Sequence, residues 1–230
     1  MKAACYMVTR GWYGKVVPSI KSMMANGNVD RIYVLIEDDK FPYDLPVIPI
    51  NVSNQQFFRR DGPNCRETRF SWIVMMRAAL HRLLPDLDTV LSIDADTIVL
   101  DDLSPLWELP IENYYFAAAL EPLRSKGGVP RWYYQDEYHN AGVSLLNLKK
   151  LRDGKGDEII EAINTRPWKF IEQDAMNTLC EGRILTMSSE YNLNDWTEAV
   201  HHARIIHYAA VHDWYNRPLV KAFERMEVTR

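Results

Sequence analysis

Cysteine is scarce in this sequence. The 230 residues hold three, Cys5, Cys65 and Cys180, far apart and without a CxxC pair, so neither a disulfide framework nor a zinc ribbon is indicated. A positive excess is missing as well: 27 basic side chains face 31 acidic ones, a formal net charge of -4. Proteins that grip nucleic acid by its phosphates carry a basic surplus, so no nucleic-acid partner is expected. No apolar run approaches the length that spans a bilayer, and the apolar part of the first ten residues is too short for a secretory leader. No repeat, low-complexity tract or Gly/Ser-rich linker divides the chain. What is present is the composition of a packed protein, 47% hydrophobic and 25% charged, in a chain long enough to bury a sizeable core. The expectation is a soluble, cytoplasmic, single domain over residues 1–230, with 217–230 as a short C-terminal tail or helix.

Apolar strand-like runs alternate with helical stretches, the pattern of an α/β layer architecture. Strands are expected over 3–9, 31–36, 47–52, 89–93, 114–120, 142–147, 184–187 and 204–208. Helices are expected over 18–26, with Pro18 in the first turn and Gly27 just past the end, over 68–84, stopped by Pro85, and over 172–180, ended by Gly182. Residues 121–140 show no clear period and hold two glycines, two prolines and four aromatics. A loop of that length inside a compact domain is functional or mobile.

The most informative segment is Leu91-Ser-Ile-Asp-Ala-Asp-Thr-Ile-Val-Leu100, in which an apolar strand ends in Asp94-Ala95-Asp96. In extended chain, residues i and i+2 point to one side, so two carboxylates can converge on one divalent cation. Hard oxygen ligands at a strand's end suit magnesium or manganese bridging a diphosphate. The bland alternative is a turn with two solvated aspartates. A third reading, a haloacid-dehalogenase-like phosphatase, needs Thr two places after the second aspartate. Ile98 stands there, and no later paired-aspartate motif follows.

Other segments add candidates. Arg77 lies in an otherwise apolar helix and needs a partner, because a buried unpaired charge is costly. That partner is an internal carboxylate, an aspartate of the site, or the substrate. Asn140-Ala141-Gly142, at the entrance to a buried strand, lets backbone approach a ligand closely. Glu172-Gln173-Asp174 open a helix, where Asp174 alone reads as a cap. His207 ends a short apolar strand; by itself such a histidine is a structural hydrogen-bonder, but the acidic pair needs a third ligand.

Leu84-Pro-Asp-Leu-Asp-Thr-Val-Leu-Ser-Ile-Asp-Ala-Asp-Thr-Ile-Val-Leu100, Asp102-Leu-Ser-Pro-Leu-Trp-Glu-Leu109, Asn140-Ala-Gly-Val, Glu172-Gln-Asp-Ala and Ile206-His-Tyr-Ala occur in this order. Together they resemble glycosyltransferase family 8, the retaining, nucleotide-sugar-dependent, glycogenin- and galactosyltransferase-like group with the GT-A fold. The resemblance implies a mixed, mostly parallel central sheet flanked by helices. Asp94, Asp96 and His207 would bind manganese or magnesium, which holds the donor diphosphate. Val8, Thr9 and Tyr13 would line the uridine pocket. Arg77, Asp94, Asn140, Glu172 and Gln173 would meet the donor sugar, with Ala95, Ala141, Gly142 and Ala210 lining the donor site. Gln173, Glu172 and Asp94 would be the catalytic set. The family's late His-x-x-Gly-x-x-Lys is only partly kept, with Ala210 in the glycine's place and Asp213 in the lysine's. Arg217 or Lys221 would then substitute, or the metal would carry more of the leaving-group charge. The implied activity is retaining transfer of a hexose from UDP-glucose or UDP-galactose to a hydroxyl of a carbohydrate or other acceptor, with 121–140 as an acceptor-side loop. The competing reading is a non-catalytic nucleotide-sugar-binding protein with a decayed site.

Overall fold

The computed structural model describes residues 1–65, 71–121, 137–194 and 202–227. Strand β1 (Ala3–Met7) is buried at every position, as a strand covered on both faces must be. A 3-10 turn leads into helix α1 (Tyr13–Asn26), followed by β2 (Arg31–Ile36) and β3 (Ile48–Asn51). Another 3-10 turn, Trp72–Met75, precedes α2 (Met76–Leu83). Then come β4 (Thr89–Ile93), β5 (Thr97–Val99), the one-turn helix α3 (Ser104–Trp107) and β6 (Phe116–Leu120). The nine-residue, wholly buried β7 (His139–Asn147) runs into α4 (Leu148–Leu151), α5 (Lys155–Thr165) and α6 (Ile171–Leu179). The chain closes with β8 (Ile184–Thr186), β9 (Leu193–Asn194), β10 (Ile205–His207) and α7 (Pro218–Arg225).

Seven strands form one sheet in the order β3-β2-β1-β4-β7-β6-β8. From β3 to β4 every pair is parallel, β7 is antiparallel to both its neighbours, and β8 is parallel to β6. This is the mixed, mostly parallel sheet expected. Successive strand residues feed two cores: Cys5, Met7 and Leu146 pack with α2, α5 and α6, while Tyr6, Val8, Leu91 and Ile93 pack with α1. Each fully buried side chain of the size of Leu91 contributes about 1.5–3 kcal/mol. A second, three-stranded sheet has the order β5-β10-β9. Its register sets His207 opposite Thr97, and the Tyr208 N–H donates to the Asp96 carbonyl at 2.8 Å. The small sheet thus pins a late segment against the turn that follows β4.

Several boundaries differ from expectation. Helix α1 starts at Tyr13, so Pro18 lies inside it. Proline has no N–H to offer the carbonyl four residues back, and the Tyr215 hydroxyl lies 3.4 Å from that Gly14 oxygen. Helix α2 is shorter than 68–84 because Ser71 is extended, its Oγ accepting from the Ile73 N–H at 3.5 Å, and one 3-10 turn intervenes; residues 66–70 lie outside the described residues. Strand β7 begins at His139, so Asn140-Ala141-Gly142 are within the strand rather than at its entrance. Helix α5 was not expected at all, since Gly154 and Gly156 mask its start, although Ile159, Ala162 and Ile163 carry the helical spacing. The carboxyl ends of β1 and β4 and the start of antiparallel β7 meet at one edge of the large sheet, the edge where open α/β sheets bind ligands.

Candidate active site

That edge holds a cleft of about 460 Å³. Of the residues singled out in the sequence, Val8, Thr9, Arg77, Asp94, Ala95, Asp96, Asn140, Gly142, Glu172, Gln173, His207 and Ala210 line it. Tyr13 and Ala141 do not. The Tyr13 hydroxyl accepts the Glu37 N–H at 2.9 Å and donates to the Asp38 carboxylate at 3.0 Å, which turns the phenol into a brace for the turn after β2. Its neighbour Trp12 lines the cleft instead. Trp12 is 37% exposed and stacks on buried Trp214 at 5.9 Å, which stacks in turn on Tyr208 at 6.2 Å. Ala141 serves the site through its backbone N–H, which donates to Gln173 Oε1 at 2.8 Å.

Arg77 satisfies both structural partners considered for it. Its buried guanidinium donates to Ser92 Oγ at 2.9 Å, to Glu172 Oε1 at 2.7 Å and to Asp94 Oδ1. Three partners of this kind are what make a buried arginine tolerable. Burial pushes the Glu172 carboxyl up to about 7, against the pull of Arg77. With Asp94 Oδ1 taken by Arg77, Asp94 Oδ2 is left on the side of His207, 3.7 Å from Nε2. Asp96 Oδ1 lies 3.3 Å from the same nitrogen. Burial works against charging the His207 ring, but the Asp96 and Asp94 carboxylates outweigh it and the imidazole pKa is raised. One ligand atom from each of Asp94, Asp96 and His207 fits within 4.8 Å of the others. Among the described residues these three form the cluster able to hold a metal ion.

Gly142 is essential here for space rather than for backbone freedom. A Cβ added to it would stand 2.2 Å from His207 Cε1 and 2.9 Å from Asp94 Oδ2. The close approach at Gly142 is to the His207 and Asp94 side chains. Ala210 has φ +62, the left-handed region, so the alanine holds the backbone shape that glycine adopts freely. Gln173 is held at both ends, with Oε1 accepting from Ala141 and Nε2 donating to the Tyr138 hydroxyl at 3.0 Å; that hydroxyl donates to Asp174 Oδ1 at 2.5 Å. Asp174 also accepts the Phe170 N–H at 2.9 Å, a capping bond at the start of α6. Neither Arg217 nor Lys221 lines the cleft. Lys221 pairs with Glu224 at 2.8 Å and sits 3.8 Å over the Tyr215 ring. Arg77 is the arginine or lysine that lines the cleft among the described residues.

Sequence reasoning passed over Trp12, Ser71 and Phe170, which also line the cleft, as does Glu121, the first residue of the expected acceptor-side loop. Trp12 offered a signal, standing in the turn directly after the first strand; Phe170 offered none. Residues 122–136 lie outside the described residues, and most of the expected acceptor-side loop falls there.

A sequence model of glycosyl transferase family 8 matches residues 44–212, well over half of the chain. The lipopolysaccharide 1,2-glucosyltransferase of Escherichia coli is 34% identical over 114 residues, 46% of this chain and 33% of that protein. Glycosyltransferase GlyA of Streptococcus pneumoniae is 26% identical over 209 residues, 83% of this chain and 28% of its own length. The chain spans less than half the length of the curated relatives it matches. Among solved structures, galactosyltransferase LgtC in complex with donor and acceptor sugar analogs has a TM-score of 0.66 at 19% identity, covering 96% of this chain and 95% of that one. GlyE of Streptococcus pneumoniae has a TM-score of 0.70 at 19% identity, covering 98% and 60%. These likenesses give the fold, GT-A, and the match over residues 44–212 gives the lineage: the chain belongs to glycosyl transferase family 8.

Proposed function

We propose that this chain is a retaining, metal-dependent hexosyltransferase, moving glucose or galactose from its UDP derivative to a hydroxyl of a carbohydrate or other acceptor. The observation that carries the reading is the Asp94, Asp96 and His207 cluster in a cleft that also holds the buried Arg77–Glu172 pair. Two carboxylate oxygens and one imidazole nitrogen fit a manganese ion, and the nitrogen makes manganese a better match than magnesium. Bound there, the ion would neutralise charge on the leaving diphosphate.

The chain's own residues do the rest. Val8, Thr9 and Trp12, which line one side of the cleft, would hold the uridine. Arg77 fixes Asp94 by its Oδ1, so that Oδ2 stays turned to the cluster. Glu172, 5% exposed and tied to Arg77, is badly placed to form a covalent bond. Gln173 is a weak nucleophile whose oxygen already accepts a backbone N–H. Both facts favour attack on the same face as departure, with a leaving phosphate oxygen taking the acceptor proton. No described lysine replaces the family's late lysine at the cleft, so the leaving-group charge would rest on the metal cluster.

No described helix is long and apolar enough to cross a membrane, and a cytoplasmic location is part of this reading. The acceptor-side role of residues 121–140 is a further part, tested by hydrogen exchange with and without UDP and manganese. The function itself is tested with a panel of UDP-sugars, scored by manganese-dependent release of UDP and by NMR of fresh product. One UDP-hexose should stand out and the linkage should be α. A β linkage would remove retention, and binding without turnover would leave the non-catalytic reading.

A further inference from the structure

Three side chains beside the cluster, Glu121, Asn140 and Asn192, join His207 in a relay of hydrogen bonds whose direction is forced. The Gly142 N–H points at the Asn140 side chain at 2.9 Å, so the acceptor there is Asn140 Oδ1. Asn140 Nδ2 then lies 2.6 Å from Glu121 Oε2, as a donor facing a carboxylate must. Asn192 meets the same Asn140 Oδ1 at 2.9 Å, so Asn192 presents its Nδ2 to it. The other end of Asn192, its Oδ1, therefore faces His207 Nδ1 at 2.8 Å. An amide oxygen can only accept, so Nδ1 carries hydrogen. His207 and Asn192 are both buried, at 3% and 4% exposed.

We infer that Asn192, which does not line the cleft, is a positioning residue whose Oδ1 fixes the His207 tautomer, the Glu121–Asn140 pair serving only to turn that amide oxygen towards the ring. The inference rests on the proposed metal site. Without Asn192 the ring would face two carboxylates, with Nε2 at 3.3 Å from Asp96 and 3.7 Å from Asp94, and these favour hydrogen on Nε2. That is the nitrogen whose lone pair a metal needs. Asn192 supplies the opposing acceptor and keeps hydrogen on Nδ1, leaving Nε2 as the ligand. The relay also ties the ligand to β7, because both lone pairs of Asn140 Oδ1 are engaged by Gly142 and Asn192. Asn140 therefore meets a sugar hydroxyl through an amide hydrogen and not through its oxygen.

Two measurements test this, one without metal. Nitrogen-15 NMR of the metal-free protein, followed to rising pH until the two ring nitrogens report a neutral imidazole, should show hydrogen on His207 Nδ1. Hydrogen on Nε2 in the unaltered protein overturns the proposal, whatever the metal does. Manganese binding, followed by electron paramagnetic resonance of the free ion, should weaken about 10–100-fold in Asn192→Leu. Asn192→Asp keeps the acceptor for Nδ1 while losing the donor to Asn140, so it should bind manganese within about threefold of the unaltered chain and keep hydrogen on Nδ1. If Asn192→Asp is as impaired as Asn192→Leu, or neither is impaired, Asn192 is a packing residue and the relay has no role. If the unaltered chain shows the Nδ1–H tautomer but binds no manganese, the metal reading fails and the relay stands as a structural feature.

Discussion

The seven-stranded sheet and the three-stranded sheet contribute to one cleft in opposite ways. Strands β1 and β7 are buried along their whole length and supply side chains to two apolar cores. Strands β5, β9 and β10 have three, two and three residues, too few to be stable alone. Yet the small sheet delivers His207 to the cleft, and the residue just before β9, Asn192, bonds the ring. The large sheet offers Asp94 at its edge and Asn140 and Gly142 from β7. The frame and the adjustable part of the site are thus separate structures, joined by the turn at Asp94–Thr97. Damage to one should read out as lost stability and damage to the other as lost ligand binding, which makes the comparison testable.

The largest effect is expected from Asp96→Ala, which removes one carboxylate of the cluster without touching either core. Manganese-dependent UDP binding should fall below detection by calorimetry while the melting temperature stays near that of the unaltered chain. Unchanged metal-dependent affinity would remove Asp96 from the site. Leu91→Ala strikes the frame instead. Leu91 is fully buried in β4, and a truncation of this kind costs about 2–5 kcal/mol, read by denaturant unfolding. UDP affinity of the remaining folded protein should hardly change, and a parallel loss of both would blur the division drawn here.

Gly142→Ala tests the seam between the two sheets. The added methyl must displace His207 or Asp94, so manganese affinity should drop about 10–100-fold with only a modest change in stability. A fully retained affinity would mean that the ring has room to yield.

The smallest effect concerns pH. Glu172 is raised from 4.5 to about 7 by burial, only partly opposed by Arg77. A carboxyl raised on folding binds its proton more tightly in the folded state, so its contribution to stability is complete below the unfolded value. That contribution is lost as pH rises from about 4.5 through about 7, and the curve is flat above. Glu172→Gln keeps an oxygen for Arg77 and cannot titrate. Melting temperatures of the metal-free proteins over that range should therefore fall more steeply with pH for the unaltered chain than for Glu172→Gln, which keeps only the fall that the raised His207 contributes. Identical slopes would show that Glu172 is ionised throughout.

Much of the frame was legible from residues alone. The runs at Arg31–Ile36 and Thr89–Ile93 are strands where expected, and the one expected over 3–9 ends at Met7, because a strand covered on both faces is mostly apolar, which is visible without a structure. Asp94 and Asp96 were singled out on extended-chain spacing, but the structure brings them together across the turn between β4 and β5, not along a strand. Pro18 misled, because its place inside α1 is tolerated by surroundings that no local rule contains. So did the two glycines that hide the start of α5.

What the sequence could not contain is which distant groups end up sharing a hydrogen. Arg77 meets Glu172 across 95 positions, and His207 meets Asn192 across a gap that spans the undescribed residues 195–201. Tyr13, the first residue of α1, turned its hydroxyl to Glu37 and Asp38 and left the cleft to Trp12. Composition and local spacing determine which segments must be buried, since burial is a property of each residue's own surface. Only the folded chain decides the direction of each hydrogen bond, because a donor and an acceptor become partners when the packing leaves them no others.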